Sequence, residues 1–356
     1  MRLGMIVDYA GGFGETVELL QDYERAGLDL AAIPEAYSFD AVSQLGYIAA
    51  RTEKLQLMSA ILQIYSRTPS LTAMTAAGLD FVSGGRFTLG LGASGPQVIE
   101  GFHGVRYDAP LARTREVVDI CRQVWRREPV RHDGRHYQVP LSPERGGSGL
   151  GKPLKLINHP VRDRIPISVA ALGPKNVALV AELAEGWQPL FFHPGKADVA
   201  WGEALAEGGA LRDPALGTLD LQLQVSFCVG EPDPAALAKV RAQLALYIGG
   251  MGARDKNFYN QLARRYGYDA EAKEIQDHYL AGRKEQAAAA VPDDLVSAVT
   301  LMGDDEALRR QVREFAAAGV TTFLLNPLAA TADHRVAHVR RLAEILAAEE
   351  GAGERS

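Results

Sequence analysis

Along nearly the whole chain, short apolar runs alternate with stretches whose apolar residues recur at helical spacing, and this alternation restricts the fold more than any other feature. Strands are predicted at residues 2–7, 30–33, 55–61 and 87–91, with helices at 15–26, 41–51, 70–82 and 111–126 between and after them. The rhythm resumes with a strand at 167–171 and a helix at 176–185, a strand at 187–191 and a mixed helix near 199–208, then a strand at 221–229 and a helix at 234–247. A helix at 306–318, a strand at 321–325 and a helix at 334–349 close the chain, for a tally of eight strands. Strands that pair in parallel need crossovers, and helices supply them, so the pattern is that of a parallel sheet. A doubly wound sheet and a closed barrel both satisfy it. Eight strands, no compositional shift that marks a linker, and 356 residues favour an α/β fold, a (β/α)8 TIM barrel with insertions.

Two stretches interrupt the rhythm. Residues 130–139 alternate around Asp133-Gly134, a hairpin-turn pair, and 140–151 are rich in Gly, Pro and Ser. Residues 255–290 look helical and run longer than a crossover needs. They follow a Gly249-Gly250-Met251-Gly252 hinge and read as an insertion covering a substrate, or else as an oligomer interface. The expected organisation is one barrel domain over residues 1–350, with insertions near 128–160 and 250–290 and a frayed tail at 351–356.

Composition removes several function classes. Lys and Arg total 38 against 44 Asp and Glu, a net charge of −6, which attracts neither nucleic acid nor an anionic membrane. The opening apolar run from Met1 meets Asp8 before reaching signal-peptide length, and no segment holds about 18 uninterrupted apolar residues. The expectation is a cytoplasmic protein without membrane contact. Two cysteines, Cys121 and Cys228, build no disulfide framework and lack metal-ligand spacing, so they read as small buried apolar residues and no metal is expected. There is no nucleophile elbow, no His-Glu-x-x-His and no Cys/His cluster, which leaves chemistry carried by an organic cofactor acting on a small molecule.

In a barrel the chemistry sits at the C-terminal ends of the strands. The second strand ends in Pro34-Glu35-Ala36-Tyr37, the third in Tyr65-Ser66-Arg67-Thr68-Pro69, the fourth in a long loop through His103, and the fifth in Leu172-Gly173-Pro174-Lys175-Asn176. The last of these puts Pro at the first position of a helix; free amides, the helix dipole and Lys175 make a phosphate site, unless the step is only a tight turn. Gly90, Gly92 and Gly95 superficially look like a dinucleotide fingerprint, but no helix is predicted close behind them. They instead leave backbone that a flat ring can approach, or form a turn-rich loop.

Taken together, these loops resemble the bacterial-luciferase-like superfamily, and within it the coenzyme F420 (deazaflavin) dependent oxidoreductases typified by methylene-tetrahydromethanopterin reductase. The resemblance runs from residue 1 to about 345 and rests on Tyr65-Ser66-Arg67-Thr68-Pro69, on the string from Ser83-Gly84-Gly85-Arg86-Phe87 to Gly92, on Ala93-Ser94-Gly95-Pro96-Gln97 with the residues to Gly101, and on Ala171-Leu172-Gly173-Pro174-Lys175. It implies a luciferase-like (β/α)8 barrel with insertions. It places the cofactor phosphate at Gly173, Pro174, Lys175 and Asn176, beside Leu172, and Glu35 against the deazaflavin, with Ser94, Gly95 and Gln97 lining the opposite side. It also implies a non-prolyl cis peptide backing the ring at Ala60-Ile61, or at Ser59-Ala60, and the chain is expected to form a homodimer or higher homo-oligomer.

One departure narrows the reaction. Sugar-phosphate and alcohol dehydrogenases of this family carry a catalytic His after the acidic residue of strand two, where this chain has Ala36; oxidising an alcohol needs a base for the O–H proton. The acidic residue that the pterin reductase carries on strand one is replaced by Ile6, with Asp8 two positions on. A deazaflavin passes hydride, so the barrel must hold the substrate within roughly 3–3.5 Å of the reacting carbon and supply a proton. Tyr37 and Tyr65 are the candidate donors, followed by Glu35 and His103. The expected function is an F420-dependent reductase acting on a C=C or C=N bond. The alternatives are an FMN-dependent monooxygenase on the same barrel, or a cofactor-binding barrel without catalysis.

Overall fold

The computed structural model describes residues 1–7, 12–252, 254 and 256–353. Asp8, Asp255 and residues 354–356 of the expected tail lie outside the described residues. Parallel strands β1 (Arg2–Ile6), β2 (Leu30–Ile33), β3 (Gln56–Ser59), β4 (Phe87–Gly92), β5 (Ile167–Ala170), β6 (Gly186–Gln188), β7 (Asp220–Val229) and β8 (Val320–Pro327) pair in sequence, and β8 pairs with β1 to close an eight-stranded barrel. Helices α1 (Phe13–Arg25), α2 (Ala41–Arg51), α3 (Pro69–Val82), α4 (Pro110–Trp125), α5 (Pro174–Leu183), α6 (Glu203–Leu211), α7 (Pro234–Gly250), α8 (Asp305–Ala317) and α9 (Ala332–Gly353) surround it.

Residue alternation sorts the strands into two packed regions. Leu30 and Ala32 of β2 meet Met58 and Leu324 inside the barrel, whereas Ala31 and Ile33 join the larger core beneath the helices. A short strand absent from the sequence reading, Thr300–Gly303, pairs with the end of β7, Ser226 opposite Thr300. Its four residues follow the helix Asp293–Ala298 after one intervening residue, so no separate apolar run announces it.

The Ser-Gly-Gly-Arg-Phe string, which carries much of the resemblance, is a staple at the start of β4. The Arg86 guanidinium donates to the carbonyls of Ser83 (2.6 Å), Leu55 (2.6 Å), Ala49 (3.0 Å) and Thr52 (2.9 Å), and to the Thr52 hydroxyl. It thereby satisfies carbonyls left open at the end of α2 and ties that end to α3. Asp80, wholly buried, pairs with Arg162, which also reaches the Phe87 carbonyl. Both contacts lie at the N-terminal ends of the strands, the face of a barrel that stabilises and does not react.

The first interruption forms an antiparallel pair, His132–Asp133 with Gln138–Val139. The chain turns over residues 134–137, not at Asp133-Gly134 as the residue pair suggests, because Glu116 of α4 accepts the amides of His136 and Tyr137 and so holds the longer loop. The second interruption is four helices, Phe258–Arg265, Asp269–Leu280, Lys284–Ala289 and Asp293–Ala298, and the middle two pack against α7.

Candidate active site

At the end of β2 the Glu35 side chain is 8% exposed, and both its oxygens are engaged. The Arg67 guanidinium grips them in a two-point ion pair at 2.6 and 2.9 Å, and the Ala41 amide at the start of α2 donates at 2.9 Å. Gln63 donates to the Glu35 and Ala36 carbonyls, Ser66 bonds to Gln63, and Thr68 caps α3 with Pro69 behind it. The Tyr65 to Pro69 string is thus a lock between the loops after β2 and β3. Nothing local in that string marks Arg67 as the anchor, since its partner lies 32 positions away.

The peptide between Ala60 and Ile61 is cis, the first of the two positions that the resemblance implies. The Ala60 amide donates to the Ile33 carbonyl at 2.8 Å, and the Ser59 hydroxyl donates to Gly90 O and accepts from Gly90 N, both at 2.9 Å. A Cβ on Gly90 would lie 1.6 Å from the Ser59 carbonyl oxygen, and one on Gly92 would lie 2.7 Å from Ile61 Cγ1. These glycines therefore make room for the chain around the cis peptide. They do not leave the open backbone that the sequence suggested, because Ser59 and Ile61 fill it.

After β4, Ser94 is exposed with φ of 57°, and Pro96–Ile99 forms one helical turn where the sequence suggested loop, with Gly95 at its N-cap and Gln97 exposed. Tyr107 donates to the Ser94 carbonyl at 3.3 Å and packs against Tyr65, ring centres 5.2 Å apart. Arg113 stacks over the rings of Tyr65 and Tyr137 and pairs with Asp108. Tyr65 itself is buried and gives its hydroxyl proton to the Asp108 carbonyl at 2.8 Å; burial, reinforced by Tyr107, pushes its pKa well above the usual value. Tyr37, by contrast, is 68% exposed. Its ring lies 6.3 Å from that of Phe102, which meets His103 edge-on at 5.2 Å. The His103 Nε2 is buried without a partner among the described residues. Of the four candidate donors, Glu35 and Tyr65 are committed to protein partners, while Tyr37 and His103 share one rim.

The fifth strand runs into α5 as the sequence indicates, with Gly173 at the N-cap and Pro174 in the first turn. No side chain caps this end, a Cβ on Gly173 would meet nothing within 4 Å, and Lys175 is exposed. The side-chain oxygen of Asn176 is buried and has no partner among the described residues. The neighbouring Leu172 carbonyl accepts from Trp201 Nε1 at 2.8 Å and from Arg265 at 3.2 Å. Arg265 brings the second insertion onto this corner, a contact no local pattern announces. His193 packs beside Tyr266, and burial, with the nearby Lys196, depresses its pKa.

The sequence profile of the family described as luciferase-like monooxygenase matches residues 1–322. A Mycobacterium tuberculosis protein with the provisional name coenzyme F420-dependent oxidoreductase is 42% identical over 330 residues, covering 91% of this chain and 94% of that protein. The 5,10-methylenetetrahydromethanopterin reductase of Archaeoglobus fulgidus is 27% identical over 308 residues, 84% of this chain and 85% of the reductase. The solved structure of the coenzyme F420 dependent tetrahydromethanopterin reductase from Methanopyrus kandleri superposes with a TM-score of 0.78 over 96% of this chain and 97% of its own, at 21% identity, a likeness of fold.

Proposed function

The chain belongs to the luciferase-like monooxygenase family, and from that premise we propose that it is a coenzyme F420-dependent oxidoreductase, a reductase that delivers hydride to a C=C or C=N bond of a small organic substrate. The observation that carries the reading is the 42% identity, across 91% of the chain, to a protein named for F420. The barrel mouth fits such a cofactor. The Lys175 amide at the uncapped start of α5 and the Lys175 charge suit a phosphate, and a ligand hydroxyl would satisfy the buried Asn176 oxygen. Leu172 and Pro174 frame that corner, and Ala60 and Ile61 would back the ring, with Glu35 beside it and Ser94, Gly95 and Gln97 across from it.

When bound, a deazaflavin supplies hydride from a ring carbon; the protein supplies position and a proton. In this reading the Arg67–Glu35 lock keeps the strand-end loops at a fixed spacing, and Tyr65 serves as a wall. His103 moves the proton, at the Nε2 that no described residue occupies, and Tyr37 borders the opening. The domain organisation proposed is a single barrel over residues 1–350, with the second insertion leaning over the phosphate corner through Arg265. No helix among the described residues is long and apolar enough to cross a membrane. A cytoplasmic, homodimeric enzyme completes the proposal.

Thermal denaturation with F420 or FMN tests it. F420 should raise Tm and FMN should not; at a hundredfold excess over Kd the stabilisation is about 2.7 kcal/mol. Lys175→Ala should weaken F420 at least about threefold while leaving the same deazaflavin without its phosphate tail unaffected. A Tm rise with FMN alone, together with oxygen consumption, would put the monooxygenase reading in its place.

A further inference from the structure

At the C-terminal ends of β7 and β8, between α7 and the start of α9, lies a cavity of about 320 Å³. None of its lining residues belongs to the loops carrying Glu35, Ala60–Ile61, Ser94 or Gly173. Its volume falls within the range of small-molecule sites. A smaller pocket continues from it past Val240 and Gln243 to Phe191.

The charge along this cavity has one sign. Lys239 of α7 and Arg335 of α9 line it, and no carboxylate does. Lys239 forms no ion pair with a described residue. Arg335 pairs with Glu15 at 3.4 Å, a carboxylate that is itself 66% exposed, and donates to the Ala330 carbonyl at 3.3 Å and to the Tyr23 hydroxyl. Ser226 and Asn326 face each other in register on β7 and β8, and with Gln243 they line the cavity without a side-chain hydrogen bond to any described residue. Val240, Pro327 and Leu328 make the rest apolar. A chain of net charge −6 repels acids on average, so a cavity with two cations and no carboxylate runs against its own mean field. Unused neutral donors beside two cations are what an oxyanion attached to an apolar body requires.

We infer that this cavity is the substrate subsite and that it takes a small organic acid, its carboxylate or phosphate oxygens held between Lys239 and Arg335 and its apolar body against Val240 and Leu328. Ser226, Gln243 and Asn326 orient the molecule. This deepens the redox proposal above and rests on it for the word substrate; the preference for an acid stands on the cavity alone.

Equilibrium binding of three probes of similar size tests the inference: trans-cinnamate, phenyl phosphate and the neutral cinnamyl alcohol, each with the F420-loaded protein and with the protein free of cofactor. At least one acid should bind tenfold or more tighter than the alcohol, and the tighter of the two shows whether the anion is carboxylate or phosphate. Lys239→Ala and Arg335→Gln should each weaken the acid about tenfold, the loss of one charge-assisted contact, and leave the alcohol unchanged. Lys239→Glu, at an exposed position where folding is not at risk, should abolish the preference for acids. Equal binding of acid and alcohol, or acid affinity unmoved in both neutral variants, overturns the subsite. F420 binding, read by the fluorescence of the deazaflavin, is measured separately. Failure of F420 to bind sinks the redox reading while acid binding to the cofactor-free protein still decides the subsite.

Discussion

Arg67 and Glu35 stand 32 positions apart and meet as a nearly buried pair, their side chains 15% and 8% exposed. Removing one partner of such a pair leaves a carboxylate that has lost its solvation and its counter-charge, a loss far greater than the net worth of the pair. Arg67→Ala should therefore destabilise the protein by about 3–5 kcal/mol in urea unfolding, and adding Glu35→Gln should restore most of it. If the single variant costs under about 1 kcal/mol, the pair behaves as an exposed one and the lock is not one. The sequence displays both partners of the pair, Glu35 at the end of the second predicted strand and Arg67 within the Tyr65 to Pro69 string. It did not display the pairing, because an ion pair between two loops depends on strand spacing and loop direction that no local pattern encodes. The same holds for Gly90, whose missing Cβ is taken up by the Ser59 carbonyl and not by a ligand.

In the hairpin at 132–139 a contact from a neighbouring helix overrides the local turn signal. Asp133-Gly134 is a strong two-residue turn signal, and the register nevertheless puts Asp133 opposite Gln138. Glu116, on a helix, decides the matter: its carboxylate takes the amides of His136 and Tyr137 and meets His132 at 3.3 Å. Gly134 lacks a Cβ where one would lie 2.1 Å from that carboxylate. Burial works to raise the pKa of Glu116, but the Tyr137 and His136 amides and His132 outweigh it and hold the group below its ordinary 4.5. Because the folded pKa is the lower one, the stabilisation is fully present above the ordinary value and is lost as pH falls through the folded one. Hydrogen exchange at the His136 and Tyr137 amides, corrected for intrinsic rates, should show protection that falls by about tenfold once pH drops below that point, ahead of the barrel strands. Protection that stays level with that of β4 down to global unfolding would show that Glu116 does not pin the turn. Period alone recovered the barrel strands and outer helices, but the long helical stretch after residue 255 is cut at Gly267, Gly282 and Pro292, where a positive φ or a missing amide ends each piece.

A closed barrel is legible at the scale of the whole chain because the same strand–helix unit recurs, so an error at one boundary is outvoted by the others. How copies of the barrel meet is written in a different signal, an apolar stripe on a face that the core does not use. On α3, Leu71, Met74 and Phe81 are 47%, 53% and 69% exposed, with Val82 beside them at 57%. Gly78 completes a three-four-three spacing along one side of the helix, where an added Cβ would meet nothing. The single charged residue of α3 is Asp80, and it is wholly buried, so the exposed face carries no charge to repel its own copy. A two-fold interface needs a patch complementary to itself, and an uncharged apolar stripe meets that need directly. The proposed homodimer should therefore form through α3. Light scattering should give twice the 38.4 kDa chain mass at micromolar concentration, and Met74→Glu with Phe81→Glu should shift the protein to monomer. Four buried carboxylates in one dimer interface raise Kd by at least about a hundredfold, which places dissociation within the measured range. Tm at low concentration should fall in the variant only as far as lost association requires, since neither side chain contributes to the barrel core. A double variant that remains dimeric places the interface elsewhere on the barrel, and a wild-type chain that scatters as a monomer removes the homodimer from the proposal altogether.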